Sequence, residues 1–123
     1  MGTTKDASSE SNWPWPEAVD ARVAAPDHHK PLFENERVRV LESWAEPGET
    51  IPVHTHCWAG PIYILSWSDF IRRDPDGNVL LDSRESGIEQ PPGSVMWGQP
   101  LTPHSLENVG TGRLGVITFE LKD

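Results

Sequence analysis

Cysteine is nearly missing from this chain. Cys57 is the only one in 123 residues, so no disulfide can form within the chain, as suits a reducing compartment. Basic residues are scarce as well. Ten lysines and arginines stand against 19 aspartates and glutamates, a formal net charge of −9. That balance removes the cationic footprint that nucleic acid or an anionic membrane requires of a partner. Long hydrophobic runs are also lacking. Met1 to Ser11 is polar with no apolar stretch, so neither a secretory signal nor a membrane span is expected, and the cytoplasm is the default location. There is no convincing long amphipathic helix, internal repeat, phosphate-binding loop, Cys-x-x-Cys pair or basic patch. A chain of this length suffices for one domain, which buries roughly two-thirds of its unfolded surface.

What the chain does have is histidine in a pattern. His54-Thr55-His56 places two imidazoles at alternate positions. On a strand, alternate side chains share a face, with Cα atoms about 6–7 Å apart. Pro52 just before them suits a strand start or an edge better than a helix interior. A third histidine, His104, lies on a separate apolar segment. Neutral imidazole is a ligand for zinc, iron, copper and nickel, so the three are candidate metal ligands. Two further histidines, His28 and His29, are adjacent in sequence. They point in opposite directions on extended chain and read as surface residues.

Residues 1–29 read as an N-terminal arm and residues 30–123 as one β-domain. Met1 to Asn12 has the composition of a disordered segment. Trp13-Pro14-Trp15-Pro16 sets two rings on stiff extended chain that can clip onto the domain or reach a second subunit, and Glu17 to Ala25 suits a helical turn. Strands are predicted at Lys30–Phe33, Arg37–Trp44, Ile51–Cys57, Ile62–Trp67, Asp69–Arg73, Val79–Asp82, Ile88–Gln90, Ser94–Gly98, His104–Asn108 and Leu114–Leu121. Glu46-Pro47-Gly48-Glu49 fits a type II turn and Asp74-Pro75-Asp76-Gly77-Asn78 a hairpin loop. In the last strand Gly115, Ile117, Phe119 and Leu121 share one face, opposite Thr118 and Glu120. Short strands between regular turns imply an all-β sandwich or barrel.

Gly48, five residues on, His54-Thr55-His56, and then Gly93, ten residues, His104, three residues, Asn108 form a two-part frame. In order and spacing it resembles the two motifs of small, RmlC-like cupins. The resemblance covers about Lys30 to Leu121. It implies an antiparallel double-stranded β-helix, or jelly roll, with the histidines inside and a homodimer as the assembly. There are departures: Gly60 stands where cupins usually carry a metal-binding Glu, Trp67 where the first motif ends in Gly, and Gln99 and Leu101 where the second has Pro and Gly. A site made of His54, His56 and His104 alone resembles the three-histidine iron centres of cysteine dioxygenase-like and acetylacetone-cleaving cupins. Iron(II) is therefore the first expectation, with zinc, nickel, manganese and copper as alternatives. With no carboxylate among the ligands, the ion keeps its full charge and favours an anionic substrate.

Trp58, Gly60, Tyr63, Met96, Trp97, Gln99 and Asn108 come from the segments beside the histidines and are candidates for the substrate pocket. Gly60 would leave space there. Gln99 could hydrogen-bond a ligand or a histidine, and Asn108, sharing parity with His104, suits a buried structural amide. Strand parity turns Cys57 away from the pair, as a small buried hydrophobe. Glu42, Glu49 and Glu107, the carboxylates nearest the motifs, read as solvated, and Ser105 with Glu107 makes no nucleophile-base set. The leading expectation is a metal-dependent enzyme acting on a small molecule. Its rivals are a cupin that binds or senses a small ligand without turnover and a storage-like protein with an empty barrel.

Overall fold

The computed structural model describes residues 13–123; the segment expected to be disordered, 1–12, lies outside them. Among the described residues nine strands form two antiparallel sheets. They are β1 (His29–Glu34), β2 (Val38–Ala45), β3 (Thr50–His56), β4 (Gly60–Ser66), β5 (Phe70–Arg73), β6 (Val79–Asp82), β7 (Val95–Gly98), β8 (Leu101–Asn108) and β9 (Leu114–Leu121). One sheet has five strands in the order β1-β2-β9-β4-β7, and the other four in the order β3-β8-β5-β6. The two together make the all-β jelly roll that the sequence implies. Among the described residues no helix is long and apolar enough to cross a membrane.

Side-chain alternation decides what faces inward. In β2, Arg39, Leu41, Ser43 and Ala45 are buried while their neighbours are half-exposed, the period-2 pattern of a strand with one covered face. Leu41, Ala45, Ile51, Ile64, Phe70, Ile71 and Leu114 supply the buried apolar side chains. The outer face of the five-stranded sheet is apolar too. Phe33, Tyr63, Leu65, Val95, Trp97, Phe119 and Leu121 are all exposed on that sheet.

Turn chemistry sets the strand ends. Gly48 sits at φ +84°, and the Glu49 amide closes the turn onto the Glu46 carbonyl at 2.9 Å. In the β5–β6 loop the Asp74 carboxylate accepts from the amides of Asp76 and Asn78, both at 2.9 Å, with Gly77 at φ +91°. Two differences from expectation have local causes. Ile88–Gln90 forms no strand, because Pro91 and Pro92 follow it and cannot donate to a ladder. In its neighbourhood a helical turn, Ser83–Ser86, is capped by the Asp82 carboxylate on the Arg84 amide at 3.0 Å and stopped by Gly87 in the left-handed region. Earlier in the chain, Glu17–Val19 is a 3-10 turn and Ala21–Ala24 a single α-turn, α1. Asp20 between them bridges to Thr55 of β3.

Asn108 ties one end of the barrel. Its amide nitrogen donates to the carbonyls of Ala45 (2.8 Å) and Gly112 (2.9 Å), and its oxygen accepts from Ser68 Oγ (2.8 Å) and the Gly110 amide (2.9 Å). All four hydrogen-bonding positions of the amide are used. Asn108→Ala would orphan several of these groups and should lower stability by about 2–4 kcal/mol. Urea denaturation checks this; an unchanged midpoint would show that water replaces the amide without loss.

Candidate metal centre

Four imidazoles, not three, gather between the sheets. His54 on β3 and His104 on β8 are direct cross-strand partners, and their ring centroids stand 4.4 Å apart. His56, two residues along β3, is 5.0 Å from His54 and 6.1 Å from His104. The fourth is His29, which opens β1 on the opposite sheet. It lies 4.8 Å from His54 and 5.2 Å from His56. The surface reading of His29 is wrong: its exposure is 4%. The turn Pro26–His28 and α1 place it, since its Nδ1 donates to the Ala25 carbonyl at 2.9 Å. His28, by contrast, turns to the Trp44 carbonyl at 2.8 Å. The ligand atoms of His29, His54 and His56 all lie within 4.8 Å of one another.

The hydrogen bonds of the rings settle their tautomers. His54 Nδ1 donates to the Pro52 carbonyl and His104 Nδ1 to the Thr102 carbonyl, each at 2.7 Å. His56 Nδ1 donates to Glu120 Oε2 at 2.6 Å. A carbonyl or carboxylate can only accept, so all four rings carry a proton on Nδ1, and the neutral form of each keeps its lone pair on Nε2. The His29, His54 and His56 set, which does not include His104, fits a divalent transition ion, which takes neutral imidazole nitrogen. Burial, with the neighbouring rings adding to it, holds His29, His54 and His104 neutral, each with its pKa brought down to about 3.

Glu120 was missed in the sequence, along with Arg39 and Asp20. Glu120 is only 3% exposed, and its other oxygen accepts from Arg39 Nε at 2.6 Å. Arg39 in turn forks onto Asp20, at 2.9 and 3.0 Å. Burial opposes the charge on Arg39, but the hydrogen bonds and charges of Asp20 and Glu120 outweigh it and raise its pKa. The available signal was parity: Leu114, Val116, Thr118 and Glu120 line the cavity, while the more apolar alternate set faces out. Of the carboxylates considered from sequence, Glu107 pairs with Arg73 at 2.8 Å, Glu42 lies 3.9 Å from Arg113 and Glu49 accepts from the Glu46 amide. None of the three lines the cavity.

A cavity of about 180 Å³ opens beside the rings. His29, His54, His56 and His104 form its polar end. Trp44, Ile62, Ile64, Trp67, Phe70 and Leu106 are among its apolar walls. Of the predicted pocket residues, Trp58, Gly60, Met96 and Gln99 line it. Tyr63 and Trp97 do not: they stand on the outer face, 38% and 54% exposed, because inward parity in β4 belongs to Ile62 and Ile64. Asn108 is buried away from the cavity in its own hydrogen-bond set. Cys57 borders a separate groove with Trp13, Trp15 and Asp20, and burial raises its thiol pKa to about 11, which leaves little thiolate near neutrality. Two buried polar atoms in the cavity wall have no hydrogen-bond partner among the described residues, Ser43 Oγ and Arg72 Nε.

Gly60 does not leave space. A Cβ there would sit 1.7 Å from the Phe119 carbonyl oxygen, so β4 and β9 approach too closely for any side chain.

No protein-family model and no curated protein matches the chain. Solved structures do. A cupin domain from Bordetella pertussis superposes with a TM-score of 0.60 at 19% identity, covering 77% of this chain and 92% of that one. The fold is that of a cupin. An RmlC-like cupin with a double-stranded β-helix from Methanocaldococcus jannaschii gives a TM-score of 0.53 at 13% identity, over 76% of this chain and 77% of that one. The polyketide cyclase RemF from Streptomyces resistomycificus gives 0.51 at 20% identity, over 81% and 68%. At these identities the cupin likeness is one of architecture.

Two outcomes are expected at this centre. Gly60→Ala should force β4 from β9 and cost about 3 kcal/mol or more, and Gly60→Glu should add no ligand; wild-type urea stability of the alanine variant would contradict this. The second concerns pH. An unfolded histidine titrates near 6.5, above the folded values of about 3 for His29, His54 and His104. The unfolded state therefore takes up protons first. Stability of chelator-treated protein should be full above about pH 6.5 and fall on acidification, by up to about 1.4 kcal/mol per pH unit for each of these histidines. Urea curves at pH 7.5, 6 and 5 measure it, and equal stability at all three would contradict the buried neutral rings.

Proposed function

We propose that this cupin is a metal-dependent enzyme acting on a small molecule inside its barrel. One observation carries the reading: several imidazoles, each with a proton tied up on Nδ1, meet at the end of an apolar cavity. His54, His56 and His104 are the proposed ligands drawn from the two sequence motifs, and His29 joins them. Bound there, a divalent ion supplies Lewis acidity and open coordination positions. Iron(II) is the first candidate, on the resemblance to three-histidine dioxygenases, with zinc, nickel, manganese and copper as alternatives.

The chain's own residues supply position and shelter. Glu120 fixes the orientation of His56 and makes its ring a stronger donor, while Arg39 and Asp20 hold Glu120 in place. Apolar walls exclude water and sharpen every charge interaction inside. Among the described residues the cavity holds no carboxylate besides Glu120, and both its oxygens are engaged. No side chain is thus free to act as a general base. That same feature favours the second reading, a cupin that binds or senses its ligand without turnover. RemF supports the enzymatic reading only in showing that a barrel of this architecture can carry an enzyme.

A homodimer formed through the five-stranded sheet is part of the proposal. Phe33, Val95, Trp97, Phe119 and Leu121 make the outer face an apolar surface of the kind that partners cover.

Purified protein should carry one equivalent of a transition metal by elemental analysis. His54→Ala, His56→Ala and His104→Ala should each strip it while far-UV dichroism stays that of the wild type. Glu120→Gln should weaken affinity by about 10–100-fold. Full metal retention by the three alanine variants would remove the assignment. Oxygen uptake by the iron(II) form with thiols, diketones and phenolic acids separates turnover from binding alone.

A further inference from the structure

Arg72 of β5 is a cavity-lining cation that no described side chain answers. Its neighbour Arg73 turns out of the cavity to Glu107, and Arg39 is matched by Asp20 and Glu120. Arg72 has no such carboxylate among the described residues. Its Nε is buried without a hydrogen-bond partner, and an aromatic ring, Phe70, lies 5.8 Å from its guanidinium carbon. Its pairing partners across the sheet are Leu81 and Leu106, and both line the same cavity. Burial alone is the cause that lowers its pKa, with no compensating charge. Arg72 is half-buried, and a guanidinium partly withdrawn from water with no anion beside it is disfavoured, so the free protein carries an unmet electrostatic demand at this position.

The cavity itself restricts what can meet that demand. Its lining is mostly hydrocarbon and aromatic, and its volume is about 180 Å³. An engineered apolar cavity of ~150 Å³ is large enough to take up benzene. The histidines at the polar end bring no competing anion, and the Glu120 carboxylate in the lining is engaged by Arg39 and His56. Arginine presents parallel N–H donors whose spacing matches a carboxylate.

We propose that Arg72 binds the carboxylate of a small acid whose body is otherwise apolar and about the size of one ring or a short alkyl chain. The proposal rests on reading this cavity as a small-molecule site and specifies the class of molecule that enters it. Phe70, Leu81, Met96 and Leu106 pack the apolar body, and Arg72 sets which end of it faces β5 and which end faces the histidines. Arg72 is a specificity residue in this account, separate from the metal ligands.

The test uses the full chain, metal-loaded and chelator-stripped, with benzoate and hexanoate as probes and benzyl alcohol and hexanol as their neutral counterparts. Calorimetry at fixed ionic strength should give at least one acid bound about tenfold or more tighter than its alcohol, as a charge-assisted hydrogen-bonded pair requires. Arg72→Met should abolish that preference, leaving alcohol binding and metal content unchanged, while Arg72→Lys should keep part of it. Dichroism and metal content confirm that the variants remain folded and loaded. Equal binding of acid and alcohol by the wild type, undiminished preference in Arg72→Met, or no binding of any probe would each overturn the proposal. A preference for acid that depends on Arg72 in a protein that never takes up metal would support it while removing the metal-dependent reading, so the two fail separately.

Discussion

The site depends on one carboxylate shared between two partners. Glu120 accepts from Arg39 through one oxygen and from His56 through the other, both at 2.6 Å. Neither bond is local, since they close across 81 and 64 residues of chain. Buried ion pairs hold only when their remaining hydrogen-bonding capacity is met. Here it is, because Asp20 completes the fork of Arg39 and also accepts from the Arg22 amide at 3.1 Å. The run Asp20–Arg39–Glu120–His56 thus joins the N-terminal turn, two strands of the five-stranded sheet and one of the four-stranded sheet. Trp58 covers it, its ring 5.0 Å from the Arg39 guanidinium carbon. Removing Arg39 would leave two buried carboxylates, Asp20 and Glu120, without the cation they share.

Around this chain of charges the cavity divides by polarity. Imidazole rings gather at one end. Their protons are held by main-chain carbonyls at three positions and by Glu120 at the fourth. The walls beyond them are hydrocarbon and indole. Arg72 breaks that division, and it alone among the cavity's charged groups lacks a described counterpart. The outer face of the five-stranded sheet has the same apolar character as the core. That is how a sheet can carry a hydrophobic set on both parities, and it is why hydropathy alone did not say which parity faced in.

The legible part of the molecule was the local part. Turn residues such as Gly48, Gly77 and Asp74 mark their own conformations, and alternation of apolar side chains marks strands, so the all-β class could be read, while the jelly roll followed from the resemblance of the two histidine motifs. His54 and His56 stand out because two residues on one strand report a shared face without knowledge of the rest. His29 did not, because its direction is imposed by the Ala25 carbonyl and by packing against β3, neither of which shows in its neighbours. Glu120 was hidden by the stronger apolar signal of Phe119 and Leu121, and Arg39 by lying directly across from Glu120 in a register only the folded sheet defines. Tyr63 and Trp97 were near the histidines in sequence but on the wrong side of the pleat. Gly60 was read as room; its meaning came from the Phe119 carbonyl, a backbone contact that leaves no trace in composition.

The place of β9 has a consequence for how the molecule is made. It is the last strand in chain order and the middle one of its sheet, between β2 and β4. While the polypeptide leaves the ribosome, β1 and β2 can pair with each other, but β4 has no central neighbour, and Arg39 has only Asp20. The vacant sheet centre between β2 and β4 stays uncovered until β9 inserts. Closure of this sheet therefore turns on β9, whose insertion joins β2 to β4 and brings Glu120 to Arg39 in one step.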